Sequence, residues 1–108
     1  MNHLIKYADM IPEEMYEAMS NESEVNVRKF VATHTKSPKT LMKLGKDTAP
    51  EVLTAVATNL HTPKETLIEL SKLTRKSILI ALFKNPHTPK VALLNIIATL
   101  LESDLLTP

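Results

Sequence analysis

The stretch NPHTPK fills Asn85 to Lys90, and NLHTPK fills Asn59 to Lys64, twenty-six residues earlier. Each stands between two short apolar patterns, so the same six-residue phrase punctuates two stretches of the same kind. Working outward, VRKFVATHTKSPKTLMKL from Val27 aligns with VLTAVATNLHTPKETLIEL from Val52 and with ILIALFKNPHTPKVALLNI from Ile78. Pro12, Pro38, Pro63 and Pro89 are separated by 26, 25 and 26 residues, and the short interval comes from a residue missing in SPKTL relative to TPKETL. Self-similarity at a period of about 20 to 50 residues is the mark of stacked repeats. Laying Pro12 on Pro38 sets Met1 over Val27 and Leu4 and Ile5 over Phe30 and Val31, so a degenerate first unit is in phase with the others. One domain of four units follows, at 1–26, 27–51, 52–77 and 78–103, with a stub at 104–108 where a fifth would begin.

Each unit carries two helical patterns. In the first, apolar residues recur at positions one, four and five, as in Val27, Phe30 and Val31, in Val52, Ala55 and Val56, and in Ile78, Ala81 and Leu82. That spacing gathers them on one helical face. In the second, Leu67 and Leu70, and Leu93 and Ile96, follow the proline by four and seven residues. The punctuation between them reads as a corner. Ser37, Thr62 and Thr88 each precede a proline, which predicts a hydroxyl N-cap followed by proline at the first helical position. Thr62 to Glu65 and Thr48 to Glu51 have capping-box spacing. Gly45 after Leu44 suits a left-handed helix end.

The unit VRKFVATHTKSPKTLMKLGKDTAPE, with the later NPHTPK corner, resembles the leucine-rich repeat variant family, whose units read V-R-x-x-V-A-x-N-P-x-T-P-x-x-x-L-x-x-L-A. The best matches are Val27, Arg28, Val31 and Ala32; Val52, Val56, Ala57, Asn59, Thr62, Pro63, Leu67 and Leu70; and Asn85, Pro86, Thr88, Pro89, Leu93 and Ile96. The resemblance implies an all-α, right-handed superhelical solenoid of alternating α- and 3₁₀-helices, found mainly in bacterial proteins and used as an interaction surface. HEAT-like helical pairs share much of this pattern. Some relatives carry a cysteine-rich iron–sulfur module, which does not transfer to a chain with no cysteine.

Composition narrows the chemistry. A chain of 108 residues is one domain. Without cysteine there is no disulfide framework and no thiolate nucleophile or ligand, which fits a reducing cytoplasm. With Gly45 as the single glycine, the glycine-rich phosphate loops of nucleotide enzymes cannot be built. The apolar run Ile78 to Phe83 falls far below the roughly 20 residues of a bilayer span. MNHLIKYADM has no extended apolar leader pattern, so a cytoplasmic protein without membrane contact is expected. His61 and His87 occupy equivalent positions, but packed helical layers about 8–10 Å apart would hold them too far apart to share a zinc ion. No G-x-S-x-G elbow is present and no acidic residue forms a motif with a histidine. No enzyme, cofactor or metal is expected.

Charge is the more informative signal. The chain has a formal net charge of +1. Residues 1–24 hold Lys6 against six acidic residues, whereas residues 25–95 hold twelve Lys and Arg against Asp47, Glu51, Glu65 and Glu69. Within that basic middle, Lys39, Lys64 and Lys90 each directly follow a corner proline, early in a helix where a cation is mildly disfavoured by its dipole. The sequence therefore nominates a basic corner edge of Lys39, His61, Lys64, His87 and Lys90, which Arg75, Lys76 and Lys84 would extend. The expected function is a non-catalytic interaction module, a small bacterial or phage adaptor or inhibitor, gripping an acidic protein surface. The same lysines would alternatively hold a nucleic-acid phosphate backbone, without the stacking aromatics that single-strand readers add. A third alternative is a self-associating subunit, because the last unit is the most apolar and lacks a polar cap.

Overall fold

The structure is a computed structural model that describes residues 5–106, with side chains through residue 102. Met1 and Leu4, aligned above with Val27 and Phe30, lie outside the described residues, as do Thr107 and Pro108 of the stub. The described residues are all-helical, with no strand among them. After a 3₁₀ turn at Ala8–Met10 come α1 (Glu13–Met19), α2 (Val25–His34), α3 (Pro38–Leu44), α4 (Pro50–Thr58), α5 (Lys64–Ser71), α6 (Lys76–Lys84) and α7 (Lys90–Leu106).

The helices pack in chain order. Helix α2 lies against α4 and α4 against α6, while α5 packs on α7 and each helix also touches its sequence neighbour. The molecule measures 48 × 23 × 22 Å, about twice as long as it is wide. Its core runs through the layers as Tyr16, Val31, Leu41, Leu44, Val52, Val56, Leu67, Leu70, Ile78, Leu82 and Ile96, all essentially inaccessible. Each contributes on the order of 1.5–3 kcal/mol by leaving water. Of the residues that the helical spacing selects, Phe30, Val31, Val52, Val56, Leu67, Leu70, Ile78, Ala81, Leu82 and Ile96 are buried, whereas Val27, Ala55 and Leu93 are only half-buried and Ala92 takes the inner place beside Ile96.

The degenerate first unit is anchored differently. Tyr16 is buried and its hydroxyl donates to the Ala8 carbonyl at 2.7 Å, tying α1 to the preceding 3₁₀ turn. Burial, with Glu13 and Asp9 nearby, holds the phenol above its ordinary pKa.

Four expectations are corrected. The expected alternation of α- and 3₁₀-helices is absent from Val25 onward, where every described helix is α, and the one 3₁₀ element among the described residues precedes α1. Ser37 does cap α3, accepting from the Thr40 N–H at 3.3 Å, but Thr62 and Thr88 do not act this way. Both are buried, and their hydroxyls donate backward to the carbonyls of Val56 and Leu82 at 2.6 and 2.7 Å. Each thus adds a second donor to a carbonyl at the C-terminal end of α4 or α6 that also accepts, at 3.2 Å, from the Asn59 or Asn85 N–H. The capping boxes do not form either: no side chain caps α4 or α5, whose caps are Ala49 and Pro63. Gly45 has φ −66°, a right-handed conformation, and is demanded by proximity, because a Cβ there would stand 2.7 Å from the Thr66 Cγ2. Among the described residues the left-handed one is Thr74, at φ 55° between α5 and α6.

Helix α7 also runs on through the expected boundary between residues 103 and 104 without a break. The segment IIATLLESDLL offers no glycine or proline to stop it.

Candidate functional site

The corners between paired helices are fixed to one another by side chains. At the first, the Glu13 carboxylate accepts from the Thr35 hydroxyl at 2.6 Å and from the Lys36 N–H at 2.9 Å. At the third, the Asn59 amide donates to the carbonyls of Ala32 and Thr35, both at 2.9 Å, while its oxygen accepts from the His61 N–H at 2.8 Å. At the fourth, Asn85 repeats the pattern, donating to Ala57 at 2.9 Å and Asn59 at 3.2 Å and accepting from the His87 N–H at 2.9 Å. Asn59 and Asn85 are buried, so their bonds to the carbonyls of Ala32, Thr35, Ala57 and Asn59 form away from competing water. Each asparagine also closes a local turn over the two residues that follow it, which is why the chain can leave one helix and enter the next so abruptly. In the second unit His34 occupies the asparagine position and packs at a tilt against Phe30, ring centroids 4.6 Å apart, and Thr35 supplies the turn by accepting from the Ser37 N–H at 3.1 Å.

On this scaffold sit the nominated residues. Lys39 is the second residue of α3, and Lys64 and Lys90 open α5 and α7. All three are exposed, as are His61 and His87. None of the five forms an ion pair among the described residues, where the only pairs are Arg28 with Asp47 and Lys72 with Glu69. Lys84, the last residue of α6, is also exposed and adjoins the fourth corner. Arg75 and Lys76 are not part of this edge: they lie at the other end of α6, about 12 Å from Lys84 at 1.5 Å rise per residue. Among the described residues no three His, Asp or Glu side chains are grouped to hold a metal ion.

Two features escaped the sequence reading. The asparagines were visible in both N-x-H-T-P-K phrases, and an Asn directly after a helical pattern is the signal for a turn closed by its side chain. The second feature is an open groove of about 560 Å³ across α2, α4 and the start of α6, lined by Lys29, Thr33, Glu51, Thr54, Thr58 and Ser77. The hydroxyls of Thr33, Thr54 and Thr58 donate to carbonyls four residues back, so the groove wall presents methyl groups and acceptor lone pairs.

Arg28, part of the resemblance motif, has a structural task. Its Nε and Nη2 bind the Asp47 carboxylate at 2.7 and 3.2 Å, and its Nη1 donates to the carbonyls of Glu22 and Ser23 at 2.9 and 2.7 Å. One guanidinium therefore joins the loop before α2 to the loop before α4. The hydrogen bond from Arg28 lowers the Asp47 pKa against an opposing effect of burial, and the N–H groups of Ala49 and Thr48 lower it further. The same bond raises the pKa of Arg28.

No helix among the described residues is long and apolar enough to cross a membrane. Compared with family models, with curated proteins and with solved structures, the chain matches none of them.

Proposed function

We propose that this chain is a non-catalytic interaction module: a short right-handed solenoid of four two-helix units that presents a basic corner edge to an acidic surface of a partner protein. The single observation behind this reading is the set of corner-to-corner bonds made by Glu13, Asn59 and Asn85, because they hold successive corners, and the exposed Lys39, His61, Lys64, His87 and Lys90 on them, in fixed relation. Corners held at a fixed spacing lose little backbone freedom on meeting a complementary surface, which is a condition for affinity from the charges they carry. The in-order packing of α2, α4 and α6, the 48 Å length and the periodic motifs support the solenoid and the likeness to leucine-rich repeat variants.

The test is capture of partners from a bacterial lysate by the wild-type chain and by a Lys39→Glu, Lys64→Glu, Lys90→Glu variant. Loss of the captured acidic protein in the variant is expected; unchanged capture would remove the corner edge from the proposal. Retention on random duplex DNA that falls steeply with salt would instead move the reading to a phosphate backbone.

A further inference from the structure

The outward side of the last unit is apolar to a degree its position does not explain. Ile80, Phe83, Leu94, Ile97, Leu100 and Leu101 are 42–63% exposed. Leu94, Ile97 and Leu101 follow one another at spacings of three and four along α7, on one stripe. Leu100 faces Ile80 and Phe83 across a groove of about 440 Å³ between α6 and α7. With roughly 150–250 Å² on a large side chain, the six residues offer on the order of 600 Å² of apolar surface. That reaches the upper end of what a monomer ordinarily leaves bare, about 300–600 Å². It also matches one side of a standard interface, about 800 Å² of which up to about 65% is apolar.

The internal layers exclude a further stacked unit as the cover. Ser20, Ser71 and Ile97 each follow their corner proline by eight residues, and Gly45 by seven because of the missing residue. Where a following layer exists, this position is small and tightly approached. Ser20 accepts from Lys43 at 3.0 Å, a Cβ on Gly45 would meet Thr66, and Ser71 accepts from Asn95 at 3.3 Å. The last unit places Ile97 there. Another unit laid on in the same register would collide with its side chain, so the face is shaped for a different approach.

We propose that the α6/α7 face pairs with the same face of a second copy of this chain, forming a closed two-fold dimer. The face carries both a groove, between α6 and α7, and a ridge, the Leu94–Ile97–Leu101 stripe, so a two-fold rotation sets the ridge of each copy toward the groove of the other. Lys76 lines the groove, the exposed Glu102 directly follows Leu101 in the chain, and the near-zero net charge of the chain opposes pairing little. The corner edge is not used and remains open to a partner.

Light scattering coupled to size-exclusion chromatography of the 108-residue chain, over a wide concentration range, tests this. The expected result is a mass of two chains that does not grow further, and a shift to a single-chain mass in Phe83→Glu and in Leu101→Glu with helical circular dichroism retained. Three results would each overturn it: a wild-type chain of single mass throughout, a mass that climbs continuously as in an open stack, or a dimer that survives both substitutions. The wild-type measurement stands whether or not the variants fold. The Lys39→Glu, Lys64→Glu, Lys90→Glu variant should dimerise normally, which separates failure of the pairing from failure of the corner edge.

Discussion

Asn85 reaches across to Asn59, its side-chain amide donating to the Asn59 carbonyl at 3.2 Å, and Asn59 makes the same reach to the Thr35 carbonyl at 2.9 Å. Each amide is buried and serves two carbonyls and a turn, so truncation leaves several polar groups without partners. Asn59→Ala and Asn85→Ala should each cost about 2–4 kcal/mol. Asn85→Asp should cost at least as much as Asn85→Ala, because it keeps the turn acceptor but sets carboxylate oxygens against the carbonyls of Ala57 and Asn59. Urea denaturation, read from midpoints at constant slope, checks both.

Acid should undo the Arg28–Asp47 link. The folded carboxyl has a lowered pKa, so as pH falls the unfolded chain takes up the proton first. The contribution is therefore full above the unfolded value of about 3.9 and is lost as pH falls through the folded one. The stability gap between wild type and Asp47→Asn should be constant near neutrality and close below about pH 4. Denaturation at a series of pH values measures it, and a gap unchanged down to the acid limb would show that the pair does not carry it.

Gly45 and Thr66 should be coupled. The right-handed conformation at Gly45 favours alanine by about 0.5–1 kcal/mol, but the new Cβ would meet the Thr66 methyl. Gly45→Ala alone should destabilise by about 1–3 kcal/mol, as overpacking does. Combined with Thr66→Ser, which deletes the methyl, it should recover most of that loss, and a double-mutant cycle reads the coupling directly.

Thr74 holds a left-handed conformation that a β-branched residue disfavours. Thr74→Gly should raise stability by about 1 kcal/mol, and Thr74→Asn should do so as well. A rise in the thermal midpoint is the readout.

The inner faces of the helices were legible because burial imposes a helical period on Val52, Val56, Ile78 and Leu82. Corner chemistry was less so. Thr62 and Thr88 have the sequence signature of caps, yet their burial turns each hydroxyl toward a carbonyl six residues back, a choice made by packing. Gly45 reads as a left-handed terminus because only glycine's backbone freedom is visible in one dimension; the closeness of Thr66 belongs to the third. Of the nominated basic residues, Lys39, Lys64 and Lys90 share a place in the repeat and hence in the corners. Arg75 and Lys76, chosen by charge alone, lie at the far end of α6.

The side-chain bonds that join one corner to the next span no more than 28 residues of sequence, that between Asn85 and Ala57 being the longest. Loop closure of that length is entropically mild, which favours quick assembly from neighbouring pieces. It also means that nothing in this ladder of bonds ties the first corner directly to the fourth. Damage at one extremity should therefore loosen that extremity first, and amide hydrogen exchange should slow toward the middle layers of α3 to α5.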